Sequence, residues 1–106
     1  MRFLNFKNTE LRIGSNVLEN DILFDQADDG DTWFHVYSFP SAHMWMKSSS
    51  VPDKNTLYQV ALQLKKISKY KKMSGLPIIY TTKKNLTKTE TPGALWISGK
   101  SNIITV

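Results

Sequence analysis

The chain has 106 residues, enough for one domain, and its 41% hydrophobic, 11% aromatic and 22% charged composition is that of a packed protein rather than a disordered one. No run approaches the ~18 apolar residues of a membrane helix, residues 1–7 lack a signal-peptide core, and cysteine is absent, which excludes disulfides, thiolate metal sites and thiol catalysis. A cytosolic location away from membranes is expected. The net charge of +5 is unevenly spread: residues 1–53 carry four basic against eight acidic groups, whereas residues 54–106 carry ten lysines against Glu90 alone. A basic half of this kind fits an anionic partner, nucleic acid first among them.

Along the chain, residues 2–6 and 10–13 read as short extended pieces, before Gly14-Ser15-Asn16 turns the backbone. Residues 17–25 have Val17, Leu18, Ile22 and Leu23 at helical spacing, with Asn16 as N-cap. Asp28-Asp29-Gly30-Asp31 is a polar turn. Residues 32–37 and 42–46, joined by Ser38-Phe39-Pro40-Ser41, read as a hairpin whose strands are apolar at nearly every position, which implies burial on both faces or a partner on one. The Lys47-Ser48-Ser49-Ser50 stretch is too short to separate domains.

Residues 53–72 read as the one long helix. Val51-Pro52-Asp53 leads into it, Leu57, Val60, Ala61, Leu64 and Ile67 form its apolar stripe, and Lys65, Lys66, Lys69, Lys71 and Lys72 crowd its last two turns. Strand candidates follow at 76–80, 94–98 and 102–106, the last two as a hairpin around Ser98-Gly99-Lys100-Ser101. The expected fold is α+β: a single domain over 1–106, an antiparallel or mixed sheet with two hairpins, and one long helix.

His35 and His43 share the predicted hairpin. A four-residue loop puts them on opposite faces; a three- or five-residue loop puts them together, and only then is acid–base or metal chemistry with Asp21, Asp25 or Asp31 open to them. A structural pair hydrogen-bonded in the sheet is the plainer reading, and neither a metal nor a cofactor is expected. Gly99-Lys100-Ser101 is not a phosphate-binding loop, because the first glycine of that motif falls at Ala94 and no helix follows. Residues 81–88, with lysines, hydroxyls and an amide, have the chemistry of a phosphate clamp. With the end of the long helix they make up one basic patch, spanning residues 65–72 and 83–88. Tyr37 at the hairpin tip, then Tyr70 between Lys69 and Lys71, are the aromatics placed for exposure.

One ordered series of motifs goes further. Ile13-Gly14-Ser15-Asn16 with Glu19-Asn20-Asp21, Asp31-Thr32-Trp33-Phe34-His35-Val36, Pro40-Ser41-Ala42-His43, Tyr80-Thr81 with Asn85-Leu86 and Lys88, and Pro92-Gly93 together resemble the NFACT-R domain. That domain stands at the C-terminus of the ribosome-quality-control factors that extend stalled nascent chains, and occurs alone in small proteins. The resemblance covers about residues 10–106. It departs from the family at Thr87-Lys88-Thr89, where Lys-Lys-Pro is usual, and at Ser41, where glycine is usual.

The resemblance implies RNA binding in the setting of tRNA and the large ribosomal subunit. Tail synthesis does not transfer, because the family's other domains have no counterpart here. The expectation is a stand-alone, non-enzymatic RNA-binding module, and the start at Met1 reads as that of a complete protein. Lys65, Lys66, Lys69, Lys72, Lys83, Lys84 and Lys88 are assigned to phosphates. Asn16, Asn20, Asp21, Trp33, His35, His43, Tyr80 and Asn85 build the recognition face or hold it rigid. The alternatives are a protein-interaction adaptor for a translation factor or ribosome, and a metal-dependent nuclease using His35, His43 and Asp21.

Overall fold

The computed structural model describes residues 1–48 and 52–106; Ser49 and Ser50 of the serine stretch and Val51 before the long helix lie outside the described residues. Strands β1 (Arg2–Phe6) and β2 (Thr9–Gly14) form a hairpin in which Phe6 faces Thr9. Lys7 and Asn8 both take positive φ, 49° and 64°. That pair of conformations defines the type I′ turn whose twist matches two antiparallel strands. Helix α1 (Val17–Gln26) follows, capped by the Asn16 side chain accepting the Glu19 amide at 2.9 Å. Next come β3 (Thr32–Val36), β4 (His43–Met46), α2 (Lys54–Ile67) and β5 (Pro77–Thr82). After a 3-10 turn (Lys83–Asn85), the chain ends with β6 (Leu86–Lys88), β7 (Leu95–Ile97) and β8 (Asn102–Thr105).

Six strands form one antiparallel sheet in the order β1-β2-β4-β3-β5-β8, and β6 pairs with β7 apart from it. The expected α+β class and the β3–β4 hairpin hold. The apolar character of those two strands reflects burial on both faces. Phe34, Val36, Met44 and Met46 pack with Leu57, Val60, Ala61 and Leu64 of α2, while Trp33 and Trp45 pack with Leu23 of α1 and Leu86 of β6.

Three expectations need correction. First, the long helix α2 ends at Ile67 rather than at residue 72, with the short helix read at 17–25 present as α1. The Ser68 hydroxyl donates to the Lys65 carbonyl at 2.8 Å and accepts the Tyr70 amide, so it competes with the helical ladder. Tyr70 then turns to the β3–β4 tip, its ring 5.2 Å from Phe39 and its hydroxyl donating to the Pro40 carbonyl at 3.3 Å. Lys69, Lys71 and Lys72 therefore stand on a turn rather than on a helix.

Second, residues 94–106 are not a hairpin. β7 pairs with β6, a three-residue strand inside a loop read as polar, and β8 crosses to the edge of β5. There Ile104 lies opposite Ile78, and Val106 is buried with its backbone paired to Leu76 in both directions. Gly99 (φ 96°) makes the divergence possible: a Cβ here would lie 2.9 Å from Asn85 Oδ1.

Third, α1 buries only Leu23 of its apolar residues, and Val17, Leu18 and Ile22 are exposed. Leu23, the half-buried Phe24 edge-on to Trp45, polar ties and one close approach hold it. A Cβ on Gly14 would meet Asn20 Oδ1 at 2.3 Å, so glycine lets the helix seat directly on β2.

Candidate nucleic-acid interface

The β3–β4 register continues through Phe34 opposite Met44 and puts His35 beside His43, with ring centroids 5.0 Å apart. Both rings lie on the α1 side of the sheet with Trp33, which stacks on His35 at 5.6 Å and donates its indole N–H to His43 Nδ1 at 3.2 Å. His43 is thereby fixed as the tautomer protonated at Nε2. His35 Nδ1 is 2.6 Å from the Val36 carbonyl, which can only accept, so that nitrogen carries the proton. Burial, then the neighbouring His35, pull the pKa of His43 down to about 4, against a smaller opposing effect of Asp21; burial also lowers that of His35. Both are neutral at pH 7.

Asp21 uses Oδ1 to accept the Gly93 amide at 3.0 Å, which ties α1 to the loop before β7. Asn20 sits behind it, its buried Oδ1 without a partner among the described residues. Asn16 is spent on the helix cap. Among the described residues, no three His, Asp or Glu side chains are placed to hold a metal ion. These groups form a packed, hydrogen-bonded unit beneath α1.

The seven lysines assigned to phosphate separate into three situations. Lys65 donates to the Val106 carbonyl at 3.0 Å and Lys83 to the Ala27 carbonyl at 2.5 Å, the latter with its ammonium over the Phe24 ring. Lys88 pairs with Asp25 at 2.8 Å, which raises its pKa. Lys66, Lys69, Lys72 and Lys84 are exposed, with no carboxylate partner among the described residues.

The two lysine stretches are not brought into one patch. The Lys83 amide bonds to Asp31 at the start of β3, whereas Tyr70 reaches Pro40 beyond the far end of that strand. Five strand residues span about 17 Å. The Lys83 and Lys88 side chains also reach across to α1, while Lys65 and Lys66 belong to α2 on the other face.

A feature not anticipated in the sequence lies at the opposite end of α2. Tyr80 and Asn102 are cross-strand partners in β5 and β8, and together with Lys54 of α2 they line two adjoining hollows of about 350 and 320 Å³. Asn85 and Lys100 border the first hollow and Tyr58 the second. The Lys100 carbonyl is gripped by Thr81 Oγ1 at 2.6 Å and Asn85 Nδ2 at 3.2 Å, which fixes the loop carrying it. Asn85 is thus an internal brace. Tyr80 stacks on Phe34 at 5.8 Å and lines both hollows. The sequence did hold one sign of this site: Lys54 stands in the first turn of a helix, where the dipole disfavours a cation.

Comparison with known proteins follows the motif series. The family model of the NFACT protein RNA binding domain matches residues 1–104. The Rqc2 homolog RqcH of Bacillus subtilis (strain 168) is 31% identical over 77 residues, which are 72% of this chain and 13% of that protein. The structure of the C-terminal part of the fibronectin/fibrinogen-binding protein from Streptococcus suis (FBPS) matches with a TM-score of 0.84 at 25% identity, covering 99% of this chain and 43% of that one. The chain therefore spans only a small part of the curated relative. Matched over almost its whole length, and carrying the motifs in order, the chain belongs to the NFACT protein RNA binding domain family.

Proposed function

We propose that this chain is a non-catalytic RNA-binding module that attaches to tRNA or ribosomal RNA in ribosome quality control, with cytoplasmic translation as its setting. Family membership over residues 1–104 and the similarity to RqcH support the RNA and ribosome part of this reading. The observation that carries it on the molecule itself is the turn after α2. Lys66 at the end of α2 and Lys69, Lys71 and Lys72 on the turn are exposed without acidic partners among the described residues, beside the half-buried Tyr70 and the exposed Phe39. Four ammonium groups on one short segment repel one another unless an anion meets them, and RNA phosphates do so with release of counterions. Lys65, Lys83 and Lys88 serve the fold, and Lys84 stands apart from the turn as a lesser contact.

Binding of tRNA and of an unrelated structured RNA of equal length, measured across a salt series, tests this. Four phosphate contacts predict a log–log slope of roughly −3 to −4. The triple change Lys66→Glu, Lys69→Glu and Lys72→Glu is expected to abolish most of the affinity, and a preference for tRNA over the control points to translation. Absence of salt-dependent binding would sink the RNA reading. It would leave a protein contact through the exposed Tyr37 and Phe39 of the hairpin tip as the alternative.

A further inference from the structure

We infer that the groove between the first half of α2 and the β5–β8 edge is a binding site for a single-stranded segment of RNA, separate from the lysine turn. The inference rests on the RNA-binding reading and adds to it where, and in what form, RNA is read. Five side chains carry it: Lys54, Tyr58, Tyr80, Lys100 and Asn102. Lys54 and Tyr58, four residues apart, lie on one face of α2 and form one wall. Tyr80 and Asn102, paired across β5 and β8, form the floor. Lys100, held by Thr81 and Asn85, closes one end.

The chemistry of this lining selects its occupant. Neither lysine has an ion-pair partner among the described residues, and no acidic side chain lines either hollow. Lys54 faces an unfavourable helix dipole and has no side-chain hydrogen bond or ion pair among the described residues. Two cations with tyrosine rings and the Asn102 amide are what a single strand offers partners to: phosphates for the lysines, base faces for the rings, a base edge or ribose hydroxyl for the amide. Hollows of 350 and 320 Å³ lie within the ~300–1,000 Å³ range that receives small ligands. A splayed nucleotide enters such a space, whereas a duplex keeps its bases stacked inside and can touch only the rim. The braced Lys100 backbone means that little ordering is left for the moment of binding.

The test compares a labelled short oligouridylate with an RNA hairpin of duplex character, by fluorescence anisotropy over a salt series. The double variant Lys54→Ala, Lys100→Ala is expected to bind the oligouridylate about tenfold more weakly and to flatten its salt slope by about 1.4, the share of two phosphates on a single strand. Tyr58→Ala, an exposed position whose loss does not threaten the core, is expected to cost the oligouridylate about fivefold or more. The hairpin, held by Lys66, Lys69 and Lys72, is expected to bind all of these variants within about twofold of the parent. Unchanged oligouridylate binding, or equal weakening of both RNAs, would overturn the groove while leaving the lysine turn in place. If the parent protein binds neither RNA, the RNA reading and the groove fall together.

Discussion

On one face of the six-stranded sheet, α2 lays Leu57, Val60, Ala61 and Leu64 onto Leu11, Ile13, Phe34 and Met44 in a continuous apolar layer. On the other, α1 contributes the buried Leu23 and the half-buried Phe24, edge-on to Trp45, and adds specific pairings: Asp21 to the Gly93 amide, Asp25 to Lys88, and Lys83 to the Ala27 carbonyl. The first face depends on area removed from water, which many residue choices supply. The second depends on particular atoms meeting at long sequence separation, with a Trp–His–His unit beneath them. Trp33, His35, His43 and Asp21 of the motif series lie on this face, while Ile13, Phe34, Val36 and Tyr80 of the same series lie on the α2 side.

The sharpest way to break this contrast is in the apolar layer. Leu64→Ala removes a fully buried side chain and is expected to cost about 2–5 kcal/mol in urea unfolding. A loss below about 1 kcal/mol would mean that α2 is not the anchor described.

Acid should act first on the other face, from pH 6.5 down to about 5, before the carboxylates, the α2 cap Asp53 among them, begin to titrate in the unfolded chain. The folded pKa of His43 is about 4 against an ordinary 6.5, so above 6.5 the neutral ring carries no penalty. As the pH falls toward 4 the unfolded chain takes up the proton first and stability drops, by about 3 kcal/mol at most, with His35 acting in the same direction. His43→Gln keeps an acceptor for Trp33 but does not titrate, and is expected to flatten this limb of the stability curve. An unchanged limb would remove the buried histidine from the account.

Smaller still, Gly14→Ala pushes a methyl group against Asn20 and is expected to cost about 1–3 kcal/mol. The far-ultraviolet signal of α2 should stay while α1 loosens, visible as faster amide exchange in residues 17–26. Uniform loosening of both helices would argue against separate means of attachment.

Where legibility ended follows the same division. The stripe on α2, the β3–β4 hairpin and the Asn16 cap were open to reading because each is written in residues a few positions apart. Ile22 and Leu18 had the same helical spacing as buried residues and are nevertheless exposed, since periodicity does not say how much of a helix meets a partner. Lys83 and Lys88, assigned to phosphate, reach the Ala27 carbonyl and Asp25, and partners 56 and 63 positions away leave no local trace. Lys54 and Lys100 carried no motif, and the cross-strand pairing of Tyr80 with Asn102 brings their groove together.

By itself, then, the amino-acid order determined the α+β class, the elements with strong period, the charge asymmetry and the family motifs, all of them properties of neighbouring residues. Tertiary structure decided that β8 leaves β7 for β5, that His35 and His43 share a face, which lysines find partners among the described residues, and where a groove opens. Strand pairing and the placement of charges depend on closing long loops, and shared burial, not local preference, selects among those closures.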